Sequence, residues 1–507
     1  MARDRADNRS IYLVQPKFPP TIWGMDYLLR MTAYQAIFPP LGLLTLAALT
    51  PKEFHVTICD ENAGERVDYD TSAQIVGITG YLMQKPTVLA HAEEFRKRGK
   101  TVVIGGPMAN LLPEACRPYC DVLFENEAEY TWPRFLRDYA GGRWDDSYVE
   151  TEKVHMPDSP PPRLELLRRR YAQGIVQCTR GCPFSCEFCD IIVVYGRKMR
   201  FKPVEHVLRE VEAWHKTGVP IVFFADDNFV GNRPYAKELL KALARWNARQ
   251  GNPLSFYTQA SIDMVRDEEL LRLMRDANFN EVFIGIESPR KSSLAETHKT
   301  QNEKLDLVDA VHTVQSHNMF VMAGMIVGFD NDDPEIFDEQ FEFCQKAQIP
   351  IIMNSTLNAT PRTPLANRLQ AEGRLLLQDW TQDDFSHQIK PGITNFRPLR
   401  MTAEELVQGQ QRLIRKLYQP EAFRDRLLGN LSRFRDSRFR SQWVTRDNLV
   451  SFFRLARFFG GQGKQARSFF WKALWSTLRR SPRNRVTVVT LLGKYSHILQ
   501  LNGMARL

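Results

Sequence analysis

The sequence predicts an α/β protein in three parts: a doubly wound parallel sheet, a second β/α series of six strands, and a basic, mostly helical tail. Three observations carry this. Short β-rich runs alternate with helix-length segments from residue 10 to about residue 150, a pattern that requires parallel strands joined by crossover helices. The proline-rich stretch "HMPDSPPPR" then interrupts the chain, and six further β-rich runs follow it. From Met401 onward 21 Lys and Arg face 6 Asp and Glu, whereas the whole chain of 507 residues carries a net charge of only +9.

The first part, 1–150, draws its strands from "SIYLVQP", "HVTICDEN", "AQIVGITGYLM", "TVVIGGPMAN" and "CDVLFENEAEY". In such sheets ligands lie beyond the carboxyl ends of the strands. Those ends here include Thr79-Gly80-Tyr81 and Gly105-Gly106-Pro107. Glycines there either make tight turns or let a bulky group lie close to the backbone, and spacing alone does not separate the two. A linker is expected over 151–168. The second part, 169–385, takes its strands from "GIVQC", "VPIVFFADDNF", "PLSFYTQASID", "EVFIGIES", "FVMAGMIVGFD" and "IPIIMNSTLNATP". Polar residues gather at their carboxyl ends, among them Asp226, Asp227, Asn228, Glu287, Ser288 and Asp330, as on the catalytic rim of a β/α barrel. The tail, 386–507, is read as a helical domain. Its charge reads either as a solvated basic face or as a surface for anionic lipid headgroups, and no nucleic-acid motif accompanies it.

Hydrophobic residues make up 43% of the chain and charged residues 25%, an ordinary globular balance. The polar start lacks the apolar run of a signal peptide, and no stretch reaches the length of a membrane span, so the reading is cytoplasmic. Clustered thiols in that compartment point to metal or redox chemistry. Of eight cysteines, four fall in "QCTRGCPFSCEFCD". Cys178 lies in a strand and reads as a packed thiol. Cys116 and Cys120, with Pro118 between them, read as structural. Cys182, Cys186 and Cys189 share one loop just after the first strand of the second series. Structural zinc calls for four ligands, usually as two pairs, and no second pair follows. Three soft thiolates without a fourth suggest an iron–sulfur cluster with one open iron.

Cys-x-x-x-Cys-x-Phe-Cys, with Phe188 as the aromatic, resembles the signature of radical S-adenosylmethionine (SAM) enzymes. The resemblance implies that the three cysteines hold a four-iron four-sulfur cluster whose open iron binds SAM, within a partial (β/α)6 barrel. It further implies SAM contacts from Phe188, Asp226, Asp227, Asn228, Glu287, Ser288, Gly324, Ile326 and Gly328. Asn331 departs from the acid usual at its position, with Asp330 or Asp332 as substitutes.

The preceding domain is then similar to the flavodoxin-like cobalamin-binding domain of the cobalamin-dependent class, through "FPPLGLLTLAALTP", "ITG", "VVIGGP" and "ENEAEYTW". Thr79, Gly80, Tyr81, Gly105, Gly106, Pro107 and Glu127 become the implied cobalamin contacts. The D-x-H-x-x-G motif is absent, and neither His55 nor His91 has its context, which implies cobalt without a histidine ligand. The tail resembles that of a subgroup containing hopanoid-ring methylases, and bacteriochlorophyll-ring methylases are comparable. The implied function is methylation of an unactivated carbon in a small hydrophobic or polycyclic substrate, a hopanoid-like lipid or a tetrapyrrole. Methylcobalamin would be the methyl donor, and a flavodoxin or ferredoxin the electron donor. The alternatives are a cobalamin-binding cyclase or rearrangement enzyme without methyl transfer and, more remotely, a non-enzymatic corrinoid-binding regulator. Tyr195 and Arg197 are offered as substrate contacts, and the basic tail raises peripheral association with the inner membrane surface.

Overall fold

The computed structural model describes residues 9–377, 379–385, 393–434, 446–480 and 485–505. The expected boundary at 386 lies outside them. Runs such as Ile11–Val14 and Ile75–Ile78 are buried on both faces, so they form strands that must be covered twice. The first sheet is β1 (Ser10–Gln15), β2 (His55–Asp60), β3 (Ile75–Thr79), β4 (Thr101–Gly105), β5 (Val122–Glu125) and β6 (Ser147–Val149). Its order is β2-β1-β3-β4-β5-β6, with every pair parallel. One face packs Leu43, Leu44 and Trp132 from helices Leu41–Leu49 and Thr131–Ala140. The other packs Val88, Phe95 and Met108 from helices Lys85–Lys97 and Pro107–Leu111.

After β7 (Gly174–Val176) the chain makes a two-residue antiparallel ladder, β8 (Thr179–Arg180) with β9 (Arg200–Phe201). It then continues through β10 (Ile221–Phe224), β11 (Ser255–Ala260), β12 (Phe279–Glu287), β13 (Phe320–Val327) and β14 (Ile351–Thr356). The second sheet is parallel in the order β14-β13-β12-β11-β10-β7. All six β-rich runs of the second series thus fall on its strands.

The core of this sheet extends without a break into the tail. Leu413, Tyr418, Phe423, Phe459, Phe470 and Tyr495 belong to the same buried cluster as Val222, Val282 and Met322. The tail's helices are Ala403–Leu417, Pro420–Arg433, Arg446–Gly461, Lys464–Arg480 and Arg485–Leu501. The segment after β1 also reaches them: His497 contacts the Thr21 carbonyl at 3.0 Å and accepts from the Tyr27 amide at 3.3 Å. Among the described residues no helix is long and apolar enough to cross a membrane.

Candidate active site

The β8–β9 ladder clasps the thiol loop at its base. Gly181, at φ +92°, has the Lys198 and Gly196 carbonyls 2.9 and 3.0 Å from where a Cβ would stand. Only glycine fits that turn. The Cys182 amide bonds the Gly196 carbonyl at 3.3 Å and the Cys189 amide that of Cys186 at 3.2 Å. Cys178, by contrast, is fully buried in the core, and Cys116 and Cys120 are buried in the first domain.

Between the cysteines, Glu187 turns inward and takes a bidentate pair from Arg368 at 2.7 and 3.2 Å. Its backbone carbonyl accepts from Leu365 at 2.9 Å. The loop is therefore held at both ends by hydrogen bonds and in the middle by helix Pro364–Ala371. Gln301 donates to the Cys186 sulfur at 3.8 Å, and its own carbonyl oxygen is buried without a partner. Burial pushes the thiols of Cys182 and Cys189 upward, so a metal must displace their protons.

Lys299 lies beside the thiols. Burial works against its charge, but the carboxylate of Glu287 and the sulfur of Cys186 outweigh it and hold the ammonium above its usual range. It pairs with Glu287 at 2.7 Å and stands 5.9 Å from the Phe188 ring centre. Glu287 itself occupies a left-handed backbone position, φ +66°, which costs a residue other than glycine, asparagine or aspartate and gathers at functional sites.

The other expected SAM contacts divide. Asn228 exchanges hydrogen bonds with Ser261, and its side chain reaches the Cys182 thiol. Asp227 accepts from the Gly181 amide at 3.1 Å, and burial lifts its carboxyl to about 7. Asp226 does something else. It is fully buried and accepts from the amides of Cys178, at 3.1 Å, and Thr179, so its carboxylate ties β10 to the entry of the thiol loop. Ser288 is buried and caps the Arg290 amide at 3.2 Å. Gly324 pairs in register with Gly285 across β12 and β13, Ile326 is half-buried on the same strand, and Gly328 follows it with Leu406 close by. Asp330 is bound by Arg368 and Arg374, and Asp332 caps the Gly328 and Phe329 amides.

Asn331 donates its backbone amide to Glu296 at 3.0 Å. Burial lifts the Glu296 carboxyl to about 7. Between its ordinary range near 4.5 and 7 the folded chain holds this proton more tightly than the unfolded chain, so stability falls as pH rises through that window. Melting temperatures measured from pH 5 to pH 8 should fall less steeply in Glu296→Gln than in the parent.

At the carboxyl edge of the first sheet, Gly106 stands at φ +88° with the Thr79 hydroxyl 2.2 Å from a would-be Cβ. Gly80 abuts Val88, and its carbonyl accepts from Met108 at 2.9 Å. Thr79, Gly80, Gly105, Gly106 and Pro107 thus form a shelf with little side chain above the backbone. Tyr81, half exposed, lies at its lip against Phe18, ring centres 5.5 Å apart. Neither histidine serves this shelf: His55 begins β2 at the opposite edge, and His91 is bound by Tyr69 and Glu61 at 2.7 and 2.9 Å.

Glu127 also does something other than expected. It is buried and pairs with Arg180 at 2.6 Å and Arg200 at 2.8 Å, both in the β8–β9 ladder. Glu129 takes the other end of Arg180 at 2.6 Å. These pairs tie the turn after β5 to the ladder beside the thiol loop. Removing one partner of a buried pair strands the other charge, so Glu127→Ala should lower stability by about 3–5 kcal/mol in urea unfolding, where an unchanged midpoint would refute the latch. Of the two suggested substrate contacts, Tyr195 lies under the Arg180 guanidinium at 5.8 Å and Arg197 is exposed, bonding the Pro183 carbonyl at 3.3 Å.

Among the described residues no group of three His, Cys, Asp or Glu side chains could hold a single metal ion. A four-iron cluster asks for something different, one thiolate on each of several irons at alternate corners of a cube, and three sulfurs spaced along one clasped loop suit it. A parallel sheet with such a loop at the carboxyl end of its first strand defines a radical SAM enzyme. The model of the radical SAM superfamily matches residues 176–344, and one described as a domain of unknown function (DUF4070) matches 363–506. Over 500 residues the chain is 34% identical to an uncharacterized methyltransferase of Synechocystis sp., covering 97% of this chain and 92% of that one. It is 32% identical over 380 residues to the hopanoid C-2 methylase of Rhodopseudomonas palustris, covering 73% and 72%. The structure of the cobalamin-dependent S-adenosylmethionine radical enzyme OxsB matches the fold with a TM-score of 0.62 at 14% identity, over 99% of this chain and 80% of that one. The chain belongs to the radical SAM superfamily, in the family of the Synechocystis methyltransferase, and its cofactors include a [4Fe–4S] cluster and SAM.

Proposed function

We propose that this enzyme is a cobalamin-dependent C-methyltransferase acting on an unactivated carbon of a hydrophobic, polycyclic substrate. The observation that carries the reading is the placement of the bare shelf at Gly80 and Gly106 in one domain and the three-thiol loop in the next, joined across the site by Glu127, Arg180 and Arg200. The shelf fits a flat corrinoid because Gly80 and Gly106 leave backbone rather than side chain along that edge. The second sheet would act as the partial barrel that receives SAM, and the tail would complete its wall.

When bound, the cluster supplies one-electron cleavage of SAM and the corrinoid supplies the methyl group. The chain's part is holding and shielding. Cys182, Cys186 and Cys189 would each hold one iron, and Gln301 steadies the Cys186 sulfur. Glu287, Lys299 and Asn228 present polar groups beside the thiols for the polar ends of SAM. Segment 379–385 covers the first domain next to the loop: Phe385 is buried among Val194 and Met108, and Lys85 bonds the Asp383 carbonyl at 2.6 Å. Such cover excludes water from reactive species.

The hopanoid methylase among the relatives, together with the basic tail, supports a lipid-like substrate met at an anionic membrane surface; the reductant would be a flavodoxin or ferredoxin. The test is product mass. Reduced enzyme incubated with trideuteromethyl SAM and a candidate polycyclic lipid should add one labelled methyl group, and an oxidised product lacking it would turn the reading to cyclisation.

A further inference from the structure

A cavity of about 800 Å³ lies at the amino ends of the strands of the second sheet. Ile221, Ser255, Phe279 and Glu281, at or near the starts of β10, β11 and β12, line it. The thiol loop and Glu287 lie at the opposite ends, about 20 Å away along β12 at ordinary strand rise. The cavity therefore belongs neither to the cluster nor to the shelf.

Its wall is mostly apolar, and two further pieces of chain complete it. The segment after β1 gives Trp23, Leu28 and Phe38, and the tail helices give Phe452, Leu455, Leu474 and Val489. The inner end is polar. Lys494 from the last helix pairs there with Glu281, both largely buried, with the Met322 sulfur 3.3 Å from the ammonium. Two amides that line the cavity lack partners. Asn318 is 7% exposed and neither its nitrogen nor its oxygen is bonded; Gln173 is 5% exposed, and its carbonyl oxygen accepts from Tyr257 while its nitrogen is unpartnered. Buried amides without partners are costly and call for one.

The mouth is the reverse. Leu449, Trp471, Trp475 and Leu478 line the cavity and are each exposed by 47 to 64%. Helix Lys464–Arg480, which carries three of them, has five basic residues and no acidic one. Aromatic rings beside cations on a surface helix suit the interface of an anionic lipid layer.

We propose that this cavity binds one amphiphile, an apolar body with a single polar head, whose head meets the Gln173 amide beside Tyr257 and the Lys494–Glu281 pair and whose body fills the wall between Trp23 and Trp475. The site stands apart from the methylation reading, since nothing in it touches the thiols. The probe is dansyl-labelled undecanoic acid, titrated into the full-length, cluster-reconstituted enzyme, with dansyl emission sensitised by the wall tryptophans. Saturation at one probe per chain is expected. Gln173→Met removes a head contact and Thr490→Trp fills the mouth from an exposed helical position, and each should weaken binding roughly tenfold or more. Formation of 5′-deoxyadenosine should be unchanged in both variants, which also shows that they fold. Offering the probe free in solution or in anionic vesicles separates a soluble source from a membrane one. Binding that does not saturate, exceeds one probe per chain, or is indifferent to both substitutions would overturn the proposal.

Discussion

Cys186→Ala is expected to abolish SAM cleavage outright. Cys186 is the most buried thiol of the three, accepts from Gln301, and lies at the turn that places Cys189. Two thiolates cannot hold a cubane on three of its irons, so iron content after reconstitution should collapse and 5′-deoxyadenosine formation should fall to background. The fold should survive, because the loop is fixed by the β8–β9 ladder, Asp226 and the Glu187–Arg368 pair rather than by metal. Circular dichroism indistinguishable from the parent, with no charge-transfer absorbance, is the expected pair of results. Retained SAM cleavage would contradict the assignment of the loop.

Gly106→Val should produce the complementary loss. A branched side chain there meets Thr79 at once and forces a left-handed backbone that costs about 1–3 kcal/mol for such a residue. Displacing Thr79 would deform the shelf that Thr79, Gly80 and Gly106 make. Corrinoid retained after gel filtration should drop by at least tenfold, while 5′-deoxyadenosine formation, which depends on the other domain, persists. Equal corrinoid in parent and variant would remove the shelf from the account.

Much of this architecture was legible because buried parallel strands write themselves as unbroken apolar runs. "SIYLVQ" and "FVMAGMIV" leave little else to be. Strand β6 escaped notice since three residues, of which only Tyr148 is buried, carry no periodicity. The β8–β9 ladder is shorter still, and its role appears only once Gly181 is seen pressed against Lys198. The thiol triad was legible because its ligands are local. Lys299, Gln301 and Arg368 were not, since each reaches the loop from more than a hundred residues away and belongs to no motif. The acids show the limit most clearly. Strand-end position marks Asp226, and the resemblance marks Glu127, as groups near a site, but only packing distinguishes a carboxylate that faces a ligand from one that holds two backbone amides or two arginines.

Among the described residues most of the tail's Lys and Arg side chains are exposed, as on a solvated basic face. The tail's aromatic residues serve two ends. Phe459, Phe469 and Phe470 pack with Phe423 and Tyr495 as core, whereas Phe453, Trp471 and Trp475 stay exposed. Helices Arg446–Gly461 and Lys464–Arg480 thus each supply both core and exposed aromatic residues.

The most direct test is anaerobic reconstitution of the full chain with iron, sulfide and methylcobalamin, followed by reduction in the presence of SAM. Both bound corrinoid and 5′-deoxyadenosine are measured on the same sample. The expected result is one corrinoid retained per chain together with 5′-deoxyadenosine. If 5′-deoxyadenosine forms while no corrinoid is retained, the superfamily stands, and the first domain's role and the methyl transfer built on it are contradicted.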